Sequence, residues 1–532
     1  MNKLGASIRV FFTSVFLFSI VNLLYAQDVL WEKSYGGAHG DYLYDAQSTA
    51  DFGFILAGSS VSEKSGNKQE KGYGGLDYFI WKMDEQGSLD WQKTYGGPGS
   101  DFLQKIITTR DGGFLLAGTS DSAKGGLKKD DPYGMGDFWV VKLNADGSEQ
   151  WQRTIGGVSA DILKTAMELP EGGYLLAGSS SSPKSKAKKT KNQGNKDYWV
   201  IKLDSAGEVE WESSFGGKYV DEIEAVCSAP DKGFYLLGYS NSPDGPLKAA
   251  KNLGGGDYWL IRIDKLGNLI WEKAFGGEGD DHPYAMLRRK NGNILVGGIS
   301  STKSGAMKQA ANSKGTDFWV FEMDNESGIV WEETYDIGEY DVLSSMEENN
   351  DRTVLLAGYA KSENVGRRAS DSRGINDYVA IKIKPDGKEK WRQEIGSKGE
   401  DVLKRLIETR GGGYLMAGTS SGAISGERNS KQGRSDFWVV KLGDEDKDKN
   451  EEVSFVEAFP NPTDRFTNII ITEDFERGTA FLYDINGRQL QQYELTGRTL
   501  PVDLRNLPMG IYLVKVKTDI GESSVKIIKK DQ

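Results

Sequence analysis

A chain of 532 residues with 67 glycines, 13 prolines and 11% aromatics is too long for one ordinary core, and its flat side chains exclude disorder and favour β-structure with many tight turns. Lys and Arg number 66 against 78 Asp and Glu, and the resulting net charge of −12 excludes a nucleic-acid binder as a whole while suiting a soluble, self-repelling particle. One cysteine, Cys227, excludes an internal disulfide; in the apolar run EAVCSAP it reads as a small buried hydrophobe.

The N-terminus carries Lys3 and Arg9, then VFFTSVFLFSIVNLL, then Tyr25-Ala26-Gln27. A charged start, an apolar run and a small-residue exit make a secretory signal peptide over residues 1–26, with the mature chain starting at Gln27. Read as a retained anchor, the same run is near the lower length for crossing a bilayer, and no other stretch could span. The expectation is an exported chain without a retained transmembrane segment.

From residue 27 to 442 the chain repeats. Trp31, Trp91, Trp151, Trp211, Trp271, Trp331 and Trp391 stand 60 residues apart. Asp41, Asp101, Asp161, Asp221, Asp281, Asp341 and Asp401 follow each tryptophan by ten, and Gly58 to Gly418 keep the same register. An acidic–aromatic pair recurs from Asp77-Tyr78 to Asp377-Tyr378, with the last copy, Asp436-Phe437, shifted by one. Self-similarity at this period means a propeller, a solenoid or an array. Within a unit, four short runs rich in Val, Ile, Leu and aromatics are separated by turn signals such as PEGG and DSAG, without helical periodicity, so each unit is a four-stranded meander. The third run (DYWVIKLD, DFWVVKLN) is apolar almost throughout, as when both sheet faces are covered. Seven such sheets predict an all-β, seven-bladed β-propeller. Trp31 precedes any complete sheet, so the strand at 28–34 is expected to supply the outermost strand of the blade spanning 401–442 and to close the ring.

Gly207-Glu-Val-Glu-Trp211 and Gly267-Asn-Leu-Ile-Trp271 resemble the tryptophan-docking repeats of quinoprotein-like propellers, a fold-level likeness over about residues 28–442. Each of the seven tryptophans is expected to lie on the glycine peptide of the adjacent blade. A buried one would cover about 150–250 Å², roughly 4–6 kcal/mol as an upper bound. Repeat six departs most, with Val379 where others have Trp and Tyr335-Asp-Ile-Gly338 in place of an aromatic and a glycine pair.

Residues 443–454 (GDEDKDKNEEV within them) read as a charged linker. Residues 455–532 alternate short strands and turns, a small Ig-like β-sandwich. Here Pro460-Asn-Pro462, Tyr483-Asp-Ile-Asn-Gly-Arg488, Leu507-Pro-Met-Gly-Ile-Tyr512 and Lys526-Ile-Ile-Lys-Lys530 resemble the type A C-terminal sorting domain of the type IX secretion system. The resemblance implies the type IX machinery as partner, passage over the outer membrane, and a final address that is secreted or on the cell surface.

Catalytic chemistry is sought and not found. Gly418-Thr-Ser420-Ser-Gly422 imitates a nucleophile elbow, but no helix follows, and His39 and His282 are the only histidines and sit at inequivalent repeat positions. Asp444, Asp446 and Asp448 imitate a calcium loop that lacks its glycine and its closing glutamate. No metal site, cofactor or catalytic set is therefore expected. Two sets of binding candidates remain. The seven aspartates from Asp41 to Asp401 gather on one face near the axis, where a cation or sugar hydroxyls could meet them, although recurrence in every unit favours bonds to backbone amides in the turns. On that same face rise long, variable loops, of which 181–196 holds six lysines and no acid. Lys184, Lys186, Lys188, Lys189 and Lys191 would attract a polyanion with salt-sensitive affinity. The expected function is non-catalytic binding of an extracellular glycan or protein; a secreted propeller hydrolase or lyase acting on polysaccharide is the rival.

Overall fold

A computed structural model describes residues 27–443 apart from 306, 310–314, 362–373 and 411, and residues 455–530 apart from 474 and 496. The expected signal peptide (1–26) and, save for Gly443, the expected linker lie outside the described residues.

Among the described residues, regular structure is all strand. Residues 27–442 form seven four-stranded antiparallel sheets, such as Asp41–Ser48, Phe54–Ser60, Asp77–Met83 and Leu89–Tyr95, paired in chain order. The first strands of successive sheets, from Asp41–Ser48 to Asp401–Glu408, touch one another in turn, and the last returns to the first. That contact closes a seven-bladed β-propeller around an axis lined by the first strands. The clasp is as expected: Val29–Tyr35 pairs with Asp436–Leu442, Tyr35 opposite Phe437 and Trp31 opposite Lys441, as the fourth strand of the sheet that also holds Asp401–Glu408 and Tyr414–Ser420. The Trp438 indole donates to Glu32 at 2.8 Å, fixing the borrowed strand.

Third strands carry the blade-to-blade seal, because every residue of Asp77–Met83 and Asp137–Leu143 is buried, as a sheet covered on both faces requires. At five of the seven seams the aromatic of the acidic–aromatic pair leans on a third-strand tryptophan of the next blade. Ring centroids lie 4.7 Å apart for Tyr78 and Trp139, 5.0 Å for Phe138 and Trp199, 4.9 Å for Tyr198 and Trp259, 5.0 Å for Tyr258 and Trp319, and 4.8 Å for Tyr378 and Trp438. The Tyr78 and Tyr198 hydroxyls donate to the Trp139 and Trp259 carbonyls at 3.0 and 3.1 Å. At the closing seam Phe437 meets Phe79 at 5.4 Å, and at the seam before blade six Phe318 shares a core with Val379.

The seven tryptophans at 60-residue spacing take a lesser place than expected. They sit on outermost strands and are half-buried, except Trp391, which is buried. Their contact with the neighbouring glycine is real: a Cβ on Gly87, Gly147, Gly207, Gly267 or Gly387 would meet the ring of Trp31, Trp91, Trp151, Trp211 or Trp331 at 2.7–3.0 Å, with each glycine at positive φ.

Asp41 pairs with Ser60 and Ser60 with Asp77, so the aspartates and the long loops share one face of the propeller. The short turns occupy the other. Residues 455–530 form a separate β-sandwich of two sheets around Ile469, Leu482, Val502, Val514 and Ile527. It meets the short-turn face, where Arg410 pairs with Glu457, and the long-loop face stays open.

Candidate functional site: the axial channel

The seven recurrent aspartates do not line the axis. Each is 0% exposed. Asp41, Asp101, Asp161 and Asp221 each accept from the N–H of a glycine four residues earlier, at 2.6–2.8 Å, and from a serine hydroxyl at the start of the long loop, Ser62, Ser122, Ser182 and Ser242, at 2.8–3.1 Å. Asp281 does the same with Gly277 and Thr302; in Asp341 and Asp401 the amide comes from Ile337 and Ser397. Burial raises the Asp41, Asp101, Asp161 and Asp221 carboxyls above the ordinary range, against these hydrogen bonds. The geometry follows the alternative that recurrence favours: in Asp41, Asp101, Asp161, Asp221 and Asp281 the Oδ2 atom takes the turn amide and the loop hydroxyl, while Oδ1 is buried without a hydrogen-bond partner.

Lys188 is corrected for a parallel reason. It is 0% exposed, its ammonium lies 5.4 Å over the Trp199 ring and donates to the Thr190 carbonyl at 3.2 Å. Lys68, Lys128, Lys248 and Lys308 are buried at the same repeat position, and Arg428 serves there in the last repeat. Lys184, Lys186, Lys189 and Lys191 are exposed as expected, whereas Lys196 pairs with Glu222 at 2.6 Å.

A column of first-strand side chains lines the axis. Pairing with the second strand slips at the fourth residue of every first strand, between Leu43 and Asp45 in blade one and at equivalent places in the other six. A bulge leaves one residue unpaired and re-aims its side chain. The seven bulge residues are Tyr44, Gln104, Lys164, Glu224, Tyr284, Ser344 and Lys404, and all seven line a cavity of about 450 Å³ on the axis. With them stand Asp45, Lys105 and Arg405.

Two charge clusters form there. Asp45 takes Lys105 at 2.9 Å and Arg405 at 3.2 Å, and Arg405 reaches Glu347 at 3.9 Å. Across the axis Lys164 holds Glu224 at 2.9 Å. Lys404, whose ammonium lies 5.8 Å over the Tyr44 ring, makes no hydrogen bond or ion pair among the described residues. Burial, reinforced by Lys164 and opposed by Glu224, brings its ammonium down to about 8. Burial also raises the Glu224 and Glu347 carboxyls and the Tyr44 phenol. Nearby, on blades four and five, the His282 ring stacks on Tyr239 with centroids 4.1 Å apart, and Asp280 bonds His282 at 3.1 Å and the Tyr239 hydroxyl at 3.3 Å. His282 thus stands at the surface between an aromatic ring and a carboxylate.

Other motifs resolve plainly. Ser420 is buried and accepts from Arg428 at 2.6 Å, which removes it as a nucleophile. Burial pushes the Cys227 thiol up to about 12, as suits a packed hydrophobe. Among the described residues, Asp317, Asp336 and Asp341 bring three carboxylates within 4.8 Å, Asp336 standing where Gly276 stands one blade earlier. Burial and the two neighbouring charges raise Asp341 to about 7.

Residues 457–530 match the secretion system C-terminal sorting domain family. No curated protein matches the chain. Among solved structures it is similar to YCF48 bound to D1 peptide, at 8% identity over 79% of this chain and 97% of that one, with a TM-score of 0.38. It is similar also to an apocarotenoid oxygenase of Synechocystis, at 10% identity over 78% and 94% with a TM-score of 0.36. A third is PorZ, a surface component of the type-IX secretion system of Porphyromonas gingivalis, at 11% identity over 95% and 86% with a TM-score of 0.25. The sorting domain marks a chain destined for secretion and the cell surface, and no described helix is long and apolar enough to cross a membrane.

Proposed function

We propose that the protein is an exported, non-catalytic propeller that binds an anionic polysaccharide outside the cell through its long-loop face. The observation that carries this reading is the exposed quartet Lys184, Lys186, Lys189 and Lys191, in a loop without acids, on the face turned away from the sorting domain. A chain of net charge −12 holds a polyanion only where charge is locally reversed, and such a contact weakens with salt. The test is retention on an immobilised acidic polysaccharide. Binding by the wild type should fall steeply between low and high salt, and substitution of the four lysines by glutamine should abolish it. Retention that ignores both changes sinks the proposal; capture of an acidic protein instead of the glycan would redirect it.

A second reading, a secreted hydrolase or lyase acting on polysaccharide, is favoured by one observation, the asymmetric set of Lys404, Glu224 and Tyr284 on the axis. Release of reducing ends or unsaturated products from an acidic polysaccharide, lost in Glu224→Gln, would support it over simple binding.

A further inference from the structure

We propose that the axial channel is a second site, separate from the loop face, that binds a small hydroxylated monocarboxylate of the uronic-acid class, with Lys404 as counter-charge to its carboxylate.

Charge decides first. Four cations (Lys105, Lys164, Lys404 and Arg405) and two anions (Asp45 and Glu224) line the cavity, and Glu347 stands behind Arg405 at 3.9 Å, so four minus three leaves one positive charge. The ion pairs described above use every group except Lys404. A cation in a confined space without a partner is costly, and a single carboxylate cancels it. A dianion would set a second negative charge against Glu224, Glu347 and Asp45. Hydroxyl chemistry decides next. The side chains of Tyr44, Tyr284, Gln104 and Ser344 line the cavity and make no hydrogen bond among the described residues. Donors and acceptors without partners around one cation suit a polyol better than an aliphatic acid. The cavity of about 450 Å³ falls within the range of about 300–1,000 Å³ usual for small-molecule sites. Tyr359, from the second strand of blade six, completes the ring of phenols.

The groups facing Lys404 are Tyr44, Lys164, Glu224, Tyr284 and Tyr359, with Asp45, Lys105, Arg405 and Glu347 beyond. Burial brings the Lys404 ammonium down to about 8, and without its proton it offers no counter-charge, so the site should empty as the medium becomes alkaline.

The experiment is calorimetric titration of the mature full-length chain with glucuronate, glucose and inorganic phosphate. Glucuronate should bind at about pH 6.5 and lose at least about tenfold in affinity by about pH 9.5, with glucose and phosphate each about tenfold weaker or worse at the lower pH. Lys404→Gln should cost glucuronate at least about tenfold and remove the pH dependence, with a thermal midpoint no lower than that of the wild type showing that the channel is intact. Replacement of Lys184, Lys186, Lys189 and Lys191 by glutamine should leave glucuronate binding unaltered, which separates this site from the loop face. Glucose or phosphate binding as well as glucuronate, full affinity in Lys404→Gln, or no heat with glucuronate up to about 10 mM would each overturn the proposal.

Discussion

Asp41 and Tyr44 stand three residues apart on one strand, yet their counterparts around the ring behave oppositely. At the first position all seven repeats hold aspartate, fully buried. At the second they hold Tyr, Gln, Lys, Glu, Tyr, Ser and Lys, all facing the axis. The difference has a physical origin. Every blade must satisfy the same turn amides, so a residue that serves the fold is reinstated in each copy. A molecule on the axis meets seven strands from seven directions and needs a different group from each. In a ring of repeats, recurrence marks structure and departure from recurrence marks chemistry, and the two can be told apart by substitutions at matched positions.

The largest effect belongs to the seam. Trp199→Ala removes a fully buried indole packed on Phe138 and should cost about 3–5 kcal/mol in denaturant unfolding, whereas Trp211→Ala, on an outermost strand, should cost about half as much. Equal losses would mean that the tryptophans at 60-residue spacing carry the weight first expected of them. Next is Asp161→Ala, which strands the Gly157 amide and the Ser182 hydroxyl inside the blade and should cost about 1–3 kcal/mol. Lys164→Met, three residues on, should change stability by less than about 1 kcal/mol, since Lys164 itself is 38% exposed and burial already disposes Glu224 to take up a proton. A costly Lys164 and a cheap Asp161 would reverse the assignment of roles.

Much of the fold was legible because a repeat overrides local ambiguity. Trp31 falling before any complete sheet was enough to predict the clasp with Asp436–Leu442. Which tryptophan of each unit is core was not legible, because Trp199 and Trp211 look alike as letters, and only the sheet order places one third and the other outermost. Lys188 misled for a related reason. Its copies Lys68, Lys128, Lys248 and Lys308 stand at the same 60-residue spacing, but within loops so varied and lysine-rich that a buried structural cation passed for a surface one. The channel was least legible. A bulge is a backbone event without a side-chain signature, and Lys404 and Glu224 are 180 residues apart in sequence, so the column could have been found only by asking where the repeat fails to repeat.

A smaller effect tests the buried carboxylates of the third strands. Burial raises Asp77, Asp137, Asp197 and Asp257 to about 6, and in each the Oδ1 atom has no partner. Because the folded value lies above the ordinary 3.8, the folded chain holds protons that the unfolded chain has already released between about pH 4 and 6. Stability should therefore fall as pH rises through that window and level off above it. The thermal midpoint should be higher at pH 5 than at pH 7.5, and Asp257→Asn should flatten the slope. A midpoint that rises over the same interval would show these oxygens to be satisfied.

The smallest effect has the opposite sign. Lys404 keeps a charge in the channel that nothing in the described structure neutralises, and its folded value of about 8 against the ordinary 10.5 means that the protonated form is disfavoured by folding. Below about pH 8 the folded chain bears that cost; it is relieved as pH rises through 8, where the folded amine loses its proton and the unfolded one keeps it. Lys404→Met, which fills similar space without charge, should thus stabilise the propeller by about 0.5–1 kcal/mol at pH 7 and by less at pH 9.5. The same substitution at Lys142, whose ammonium holds Asp111 at 3.0 Å, should destabilise instead. A residue whose removal strengthens the fold while abolishing a binding signal is retained for what it binds, and loss of stability in Lys404→Met would place Lys404 among the structural residues from which the channel column was distinguished.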